Sequence, residues 1–311
     1  MDSNVIYNED CLIGSNKIES GSVDLILSDL PYGNMKGINE KYSWDIVIDI
    51  NKLYEVANKI LRKNGKMILF AQQPFTTELI NKSIPNISHS YSMIWEKDNF
   101  ANALLCKKSP VSYYEEILVF SKNYDVKYVT PNNPSFEYFK KCKEESRITT
   151  KEFNHLYCDY VGKIKNRDRG MVARCWETSQ FWFPNKDIYE NVLQPTGFFP
   201  INYKEIKKIN EDFENKYKST FNLWEGKKYK SNILKYKKDY DGYHSAQKPV
   251  LLLEDLIKTF SNAGSLVVDL TIGSGSTAIA ALNTGRYFIG FEKDKPIFKI
   301  AEKRIREHRK Q

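Results

Sequence analysis

The chain has 311 residues, of which 41% are hydrophobic, 28% charged and 14% aromatic, and a net charge of +8; this is enough to bury one large core or two modest ones. No run of about 18 uncharged apolar residues exists to span a membrane as a helix, and Met1-Asp2-Ser3-Asn4 lacks the basic and apolar regions of a signal peptide. Five scattered cysteines (11, 106, 142, 158, 175) form no Cys-x-x-Cys pair, which argues against a disulfide framework or zinc ribbon and for a reducing, cytoplasmic setting.

In chain order, Val23 to Leu27 is a short apolar run ending at Ser28-Asp29-Leu30-Pro31-Tyr32-Gly33, where proline and glycine force a loop. Ile50 to Leu61 carries apolar residues at helical spacing, and Asn64-Gly65 reads as the stop signal of that helix. Lys66 to Phe70, Tyr91 to Trp95 and Glu116 to Phe120 are strand candidates, with a helix over Pro74 to Asn81 among them. Alternating strand and helix points to a sheet with helices on its faces.

The middle of the chain has another character. Between Lys122 and Lys248 there are 25 basic and 17 acidic residues, whereas the remainder has 22 of each, so the whole surplus lies here together with 12 of the 20 tyrosines. Basic charge interleaved with aromatics suits nucleic-acid phosphates and bases, and equally suits a solvated lysine-rich domain. The tightest cluster is Lys163, Lys165, Arg167, Arg169 and Arg174, followed by Trp176, Phe181, Trp182 and Phe183. These aromatics read as a local core, while the five cations read as backbone contacts. Lys204 to Lys218 reads as helix; Pro131, Pro134, Pro184, Pro195 and Pro200 break the rest into short pieces.

From Lys248 the rhythm returns. Val250 to Phe260 is an amphipathic helix, Leu266 to Leu270 a buried-type strand, Thr277 to Asn283 a helix of small residues, Tyr287 to Phe291 a strand and Pro296 to His308 a basic helix. Between strand and helix lies Thr271-Ile272-Gly273-Ser274-Gly275-Ser276, whose glycines allow a tight turn and close approach of a ligand to the backbone. Glu292 follows Gly273 by 19 residues, at the end of the next strand, where a carboxylate can accept ribose hydroxyls. The pattern admits a dinucleotide, S-adenosylmethionine or a plain tight turn. Asp269 disfavours a pyrophosphate and suits a cofactor that carries an ammonium group. Asp29 and Tyr32 form a second cluster, able to accept from an exocyclic amine and to stack on its ring, although Pro-Tyr-Gly turns without a function are common.

Together these motifs resemble the amino-group DNA methyltransferases, which methylate adenine N6 or cytosine N4. Asp29-Leu30-Pro31-Tyr32 is similar to their Asp-Pro-Pro-Tyr tetrad, Leu270 to Ser276 to their Phe-x-Gly-x-Gly cofactor loop, and His244-Ser245-Ala246-Gln247-Lys248-Pro249 to their His-Pro-Thr-Gln-Lys-Pro element. Asn8-Glu9-Asp10-Cys11 resembles the Gly-Asp-Cys near their N-termini, and Trp95-Glu96-Lys97 a recurrent segment. The order, with the catalytic loop before the cofactor loop, is that of the circularly permuted β group, and Asp-Leu-Pro-Tyr-Gly is closest to a phage and mobile-element branch. The resemblance covers about 1–121 and 244–308. Leu30 replaces the tetrad's first proline, where the family uses the main-chain carbonyl, and Ser245 and Ala246 replace Pro and Thr.

The resemblance implies an α/β, Rossmann-like sheet with helices on both faces and an inserted, mostly helical target-recognition region. Residues 1–121 would form the catalytic half, 122–243 the DNA-binding insertion and 244–311 the cofactor half. Asp29, Leu30, Pro31 and Tyr32 would be catalytic. Asp10, Cys11, Asp29, Gln247, Lys248, Pro249, Asp269, Thr271, Gly273, Gly275, Ser276 and Glu292 would hold S-adenosyl-L-methionine, and Lys163, Lys165, Arg167, Arg169 and Arg174 would meet double-stranded DNA. Neither a metal nor a membrane is implied, and a homodimer is left open. Cys11 and Cys106 read as buried packing residues. The expected reaction is methylation of a flipped adenine at N6. Asp at the head of the tetrad favours adenine and Ser28 before it weakens that choice, so cytosine N4 is the alternative. An RNA or protein amide methyltransferase, a nicotinamide oxidoreductase and an inactive DNA-binding relic fit fewer of the motifs.

Overall fold

The computed structural model describes residues 3–33, 46–101, 106–108, 110–123, 133–162, 183–224, 226, 228–240, 243 and 247–310. The chain divides into two compact units, Met1–Val129 with Ser219–Gln311, and Thr130–Lys218.

The first unit is built on an eight-stranded sheet of order β1-β8-β7-β2-β3-β5-β4-β6. Its strands are β1 (Val5–Tyr7), β2 (Val23–Asp29), β3 (Leu61–Ala71), β4 (Ile87–Ala101), β5 (Ser112–Lys122), β6 (Ile233–Lys235), β7 (Leu266–Asp269) and β8 (Tyr287–Phe291). Only β5 runs against the others, pairing antiparallel with both β3 and β4. The apolar runs of β2 and β3 bury both faces, as central parallel strands must. Leu25 and Leu27 pack with the helix Val250–Phe260 and the helix Ser276–Asn283 in one core. Ile26 packs on the opposite face with the helix Ile50–Ile60. The expected α/β sheet, with helices on both faces, is therefore present. No helix among the described residues is long and apolar enough to cross a membrane.

Several local expectations are corrected. Asn64-Gly65 does not cap a helix: the helix ends at Ile60, and Leu61 already pairs with Val23. Asn64, at φ +62°, turns within a bulge of β3. A Cβ on Gly65 would lie 2.9 Å from the Arg62 carbonyl and 3.1 Å from that of Asp24, so the glycine serves close backbone approach. Tyr91 to Trp95 and Glu116 to Phe120 are the cores of longer strands whose outer residues are mostly polar. Cys106 is exposed, whereas Cys11 is buried as expected. Residues 219–240, expected in the insertion, belong to the first unit because β6 adds to β4 in parallel and Trp95 Nε1 donates to the Tyr236 carbonyl at 2.8 Å.

The described residues of the second unit are helical, with no strand: α-helices at Pro134–Ser146, Thr150–Val161 and Tyr203–Tyr217, and short turns over Lys186–Thr196. Pro134 starts a helix where it was expected to break one: it occupies the first turn, where no N–H is needed, and the Asn133 side chain accepts from Ser135 N–H at 2.9 Å. Thr149 and Glu152 form a capping box on the next helix. Phe139, Phe153, Tyr189 and Phe199 make an aromatic core closed by Leu193 and Ile206. The cluster Lys163, Lys165, Arg167, Arg169 and Arg174, with Trp176, Phe181 and Trp182, lies outside the described residues.

Candidate active site

Parallel strands end on one edge of a sheet, and a crevice opens where neighbouring strands connect in opposite directions. Here β2 and β7 are such neighbours, pairing in parallel although they lie far apart in the chain. The loop after β2 carries Asp29 to Gly33, and the loop after β7 carries Thr271 to Gly275. Two hydrogen bonds tie them, both across 242 residues: Leu270 N–H donates to Ser28 Oγ at 2.8 Å, and Thr271 Oγ1 donates to the Asp29 carbonyl at 2.9 Å. Strand alternation turns Ser28 inward and leaves Asp29 on the other face. Ser28 is buried.

The Asp29 side chain is 26% exposed and held at both oxygens. Tyr32 donates its hydroxyl to Oδ1 at 3.0 Å and Lys248 its ammonium to Oδ2. Tyr32 also rests against Phe75, ring centroids 5.5 Å apart. Burial pushes the Asp29 carboxyl above the usual carboxylate range, against the pull of Lys248. Leu30 is buried and Pro31 half-buried beside it. Lys248, expected among the cofactor contacts, pairs with the Asp29 carboxylate. It is shared with Glu115 of β5 at 3.2 Å, and Glu115 is paired in turn with Lys97 of β4 at 2.5 Å. Neither Glu115 nor Lys97 was expected in the site. Glu115 belongs to no local motif, and Trp95-Glu96-Lys97 resembles a recurrent family segment that carries no assigned role.

Around the glycine loop, Asp269 is 4% exposed and accepts from Thr271 N–H at 3.0 Å, with the Thr277 and Ser28 hydroxyls also bonded to it. It is a strut of the loop instead of the open partner for an ammonium that the sequence suggested. Burial pushes its carboxyl up to about 6. Gly275, at φ +89°, turns the chain into the helix Ser276–Asn283. A Cβ on Gly273 would meet nothing nearer than the Thr271 carbonyl at 3.9 Å, so the turn presents open backbone. Gly273 N–H donates to Glu292 at 3.1 Å, and the other Glu292 oxygen accepts from Asp294 N–H at 2.8 Å. Ser276 Oγ is engaged by Arg304 at 2.9 Å.

Asp10 caps the turn Cys11–Gly14, accepting from Leu12 N–H at 2.9 Å, and pairs with Lys293 at 3.2 Å. The Cys11 thiol is pushed up to about 12 by burial and by Asp10, so it is a neutral packing group. Gln247 is half-buried and Pro249 buried at the start of the helix Val250–Phe260. No group of three or more metal-ligating side chains occurs among the described residues.

The comparisons with known proteins agree with this geometry. A DNA methylase family model, for N6 and N4 methyltransferases, matches residues 23–303. The chain is 23% identical over 320 residues to Type II methyltransferase M.HindIII of Haemophilus influenzae, covering 96% of this chain and 94% of that one. It is 26% identical over 313 residues to DNA adenine methyltransferase YhdJ of Escherichia coli, covering 98% and 83%. The solved structure of an M1.HpyAVI–SAM complex aligns over 96% of this chain and 98% of that one, with a TM-score of 0.51 and 17% identity, a likeness of fold. The cytosine-N4-specific PvuII DNA methyltransferase aligns over 99% and 92%, at 0.50 and 12%. With its tetrad and glycine loop bonded side by side and the family pattern running through both units, this chain belongs to the DNA methylase family of N6 and N4 methyltransferases.

Proposed function

We propose that the chain transfers a methyl group from S-adenosyl-L-methionine to the exocyclic N6 amine of an adenine at a specific site in double-stranded DNA. The observation that carries this reading is the joint between Asp29 and Thr271, which sets a partly exposed carboxylate beside an open glycine turn.

The residues at that turn fit the cofactor. Gly273 leaves its outer face free of side chain, Gly275 starts a helix, and Glu292 stands half-buried at the end of β8 with lone pairs beyond the two it has committed. When bound, S-adenosylmethionine supplies an electrophilic methyl on a sulfonium. The chain supplies acceptors and alignment. An exocyclic amine is a weak nucleophile because its lone pair is delocalised into the ring. A carboxylate has about four acceptor sites, so Asp29 can take one N–H of the amine while keeping Tyr32 and Lys248. The Leu30 carbonyl takes the other, and the lone pair is drawn out of the ring. The extra proton of the methylated amine leaves through Asp29. The target must leave the duplex, and Tyr32, braced on Phe75, is the ring on which it stacks.

Adenine is favoured because Ser28, the competing head of the tetrad, is turned into the sheet. M.HindIII and YhdJ, related over nearly the whole chain, are a Type II methyltransferase and a DNA adenine methyltransferase. For target recognition we assign the inserted unit 130–218 with its cluster Lys163 to Arg174. The charge supports a share for the first unit as well: residues 130–218 hold 16 basic against 13 acidic side chains, and residues 219–248 hold 7 against 3.

The test is methyl incorporation into duplex DNA from labelled cofactor, followed by mass spectrometry of the nucleosides. The parent yields N6-methyladenine, and Asp29→Asn slows single-turnover transfer by about 10²–10⁴-fold. N4-methylcytosine as the only product overturns the adenine assignment. No incorporation by the parent overturns methyl transfer.

A further inference from the structure

Four alternating charges run from the catalytic carboxylate into the sheet: Asp29 on β2, Lys248 before the helix Val250–Phe260, Glu115 on β5 and Lys97 on β4. The Asp29 side chain is 26% exposed, whereas those of Lys248, Glu115 and Lys97 are 9%, 12% and 2% exposed. Each link is a direct ion pair, Lys248 bridging Asp29 and Glu115, and Glu115 bridging Lys248 and Lys97. A buried ion chain costs desolvation, and apolar residues of similar volume often replace one without loss of stability. This one ends on the group that must accept the substrate amine.

We propose that Glu115 is a positioning residue for methyl transfer: it divides the Lys248 ammonium between two carboxylates, so that Asp29 is aimed by Lys248 without being saturated by it. The inference rests on the reading of Asp29 as the amine acceptor. Lys248 already touches Asp29 and lies 3.2 Å from Glu115. Without the Glu115 charge its whole positive charge would fall on Asp29, and a carboxylate that alone neutralises an ammonium is a weaker acceptor. Lys97 sets the division from the other side, because Glu115 held by Lys97 pulls less strongly on Lys248.

The charges around Asp29 fix the signs. Lys248 draws its carboxyl down and Glu115 pushes it up, while Tyr32 on its own loop stabilises the charged form. Asp269, at the end of β7, is the other neighbouring carboxyl. Burial pushes Glu115 up, but Lys248 and Lys97 outweigh it and hold Glu115 below the usual range. Lys97 faces Glu115, Lys248 and Lys238. Removing the Glu115 charge therefore lowers the pH at which Asp29 ionises, and removing the Lys97 charge raises it.

Single-turnover methylation by the 311-residue chain, measured as a function of pH, tests this. Glu115→Gln is expected to slow the plateau rate about tenfold and to move the acid limb down by about one pH unit. Lys97→Met is expected to move the acid limb up, and Glu115→Asp, which keeps the charge, to leave it in place. Dissociation constants for cofactor and for duplex DNA should match the parent in all three, which also reports that each variant is folded. A purely structural role gives no opposed displacement. Unmoved limbs, or limbs that move the same way in Glu115→Gln and Lys97→Met, overturn the proposal. Should Glu115→Gln fail to bind cofactor, Lys97→Met and Glu115→Asp decide alone, and an unmoved limb in Lys97→Met overturns it. Asp29→Asn in the same assay separates the two claims. Parent-like activity there removes the amine-acceptor reading itself, whereas an inert Asp29→Asn with unmoved limbs removes only the role of Glu115.

Discussion

The two units bury polar groups for different ends. In the sheet unit five buried or half-buried ionisable side chains, Asp29, Lys248, Glu115, Lys97 and Asp269, lie together at one edge of the strands, apart from other buried charges such as Lys122 and Asp255, and act on each other. In the inserted unit the buried phenols are bonded to neutral partners. Tyr138 and Tyr189 share a hydroxyl contact at 3.0 Å, and Tyr189 donates to the Ile201 carbonyl at 2.6 Å, within an aromatic core that has no buried ion pair among its described residues. Charge at an edge serves chemistry, whereas neutral hydrogen bonds inside an aromatic core serve shape. A region's buried polar chemistry is thus a guide to its task, even where the fold is plain.

Three changes probe that contrast. The largest effect belongs to the aromatic core: Phe139→Ala, at a fully buried position against Phe183, Tyr189 and Phe199, should cost about 3–5 kcal/mol. Hydrogen exchange should place the loss in residues 134–217 while cofactor affinity stays at the parent value. A matching loss of cofactor binding would show that the two units are not separate in stability.

Asp269→Asn should alter the pH dependence of stability. The folded carboxyl titrates at about 6, above its ordinary value of 3.8, so between those pH values the folded state holds more protons than the unfolded one. Stability from this group is present at low pH and is lost as pH rises through the folded value. Relative to Asp269→Asn, the parent should lose about 2 kcal/mol between pH 4 and pH 7. Denaturant titrations at both pH values check this, and parallel curves for the two proteins would remove the buried charge from the account.

Glu292→Ala should weaken cofactor binding by about 1.5–3 kcal/mol, or ten- to a hundredfold in dissociation constant. The loss combines contacts to the ligand with release of Gly273 N–H, which Glu292 holds at 3.1 Å. Unchanged affinity by calorimetry would exclude Glu292 from the site.

Much of the sheet unit was legible because burial leaves a periodic trace. The runs Val23 to Leu27 and Leu266 to Leu270, and the helices beginning at Ile50 and Val250, fall within a residue or two of their observed places. The tetrad and the glycine turn were legible as local motifs. What was hidden is what the third dimension supplies. β1 and β6 have three residues each, too few for periodicity, and exist because a neighbouring strand offers its edge. Asn64-Gly65 carries a helix-stop signature that parallel pairing with β2 overrode. Lys248 sat in a recognisable element, but its partner Glu115 is distant in sequence and unremarkable in context. The inserted unit was harder still, since Pro134 breaks a helix or begins one according to whether a cap precedes it.

The pairing of β2 with β7 has a consequence in time. These neighbours, and likewise β1 and β8, come from opposite ends of the sequence. A ribosome adding about 5–20 residues per second takes roughly 10–50 s between the two strands. Throughout that interval the flank of β2 that will receive β7 is an unpaired edge, the kind of surface on which strands of other chains can add. Asp29 likewise waits for Thr271 and Lys248 before it is placed. Competence for the reaction is therefore acquired late in synthesis, and expression at high rates or elevated temperature should reveal the long wait as aggregation seeded at β2.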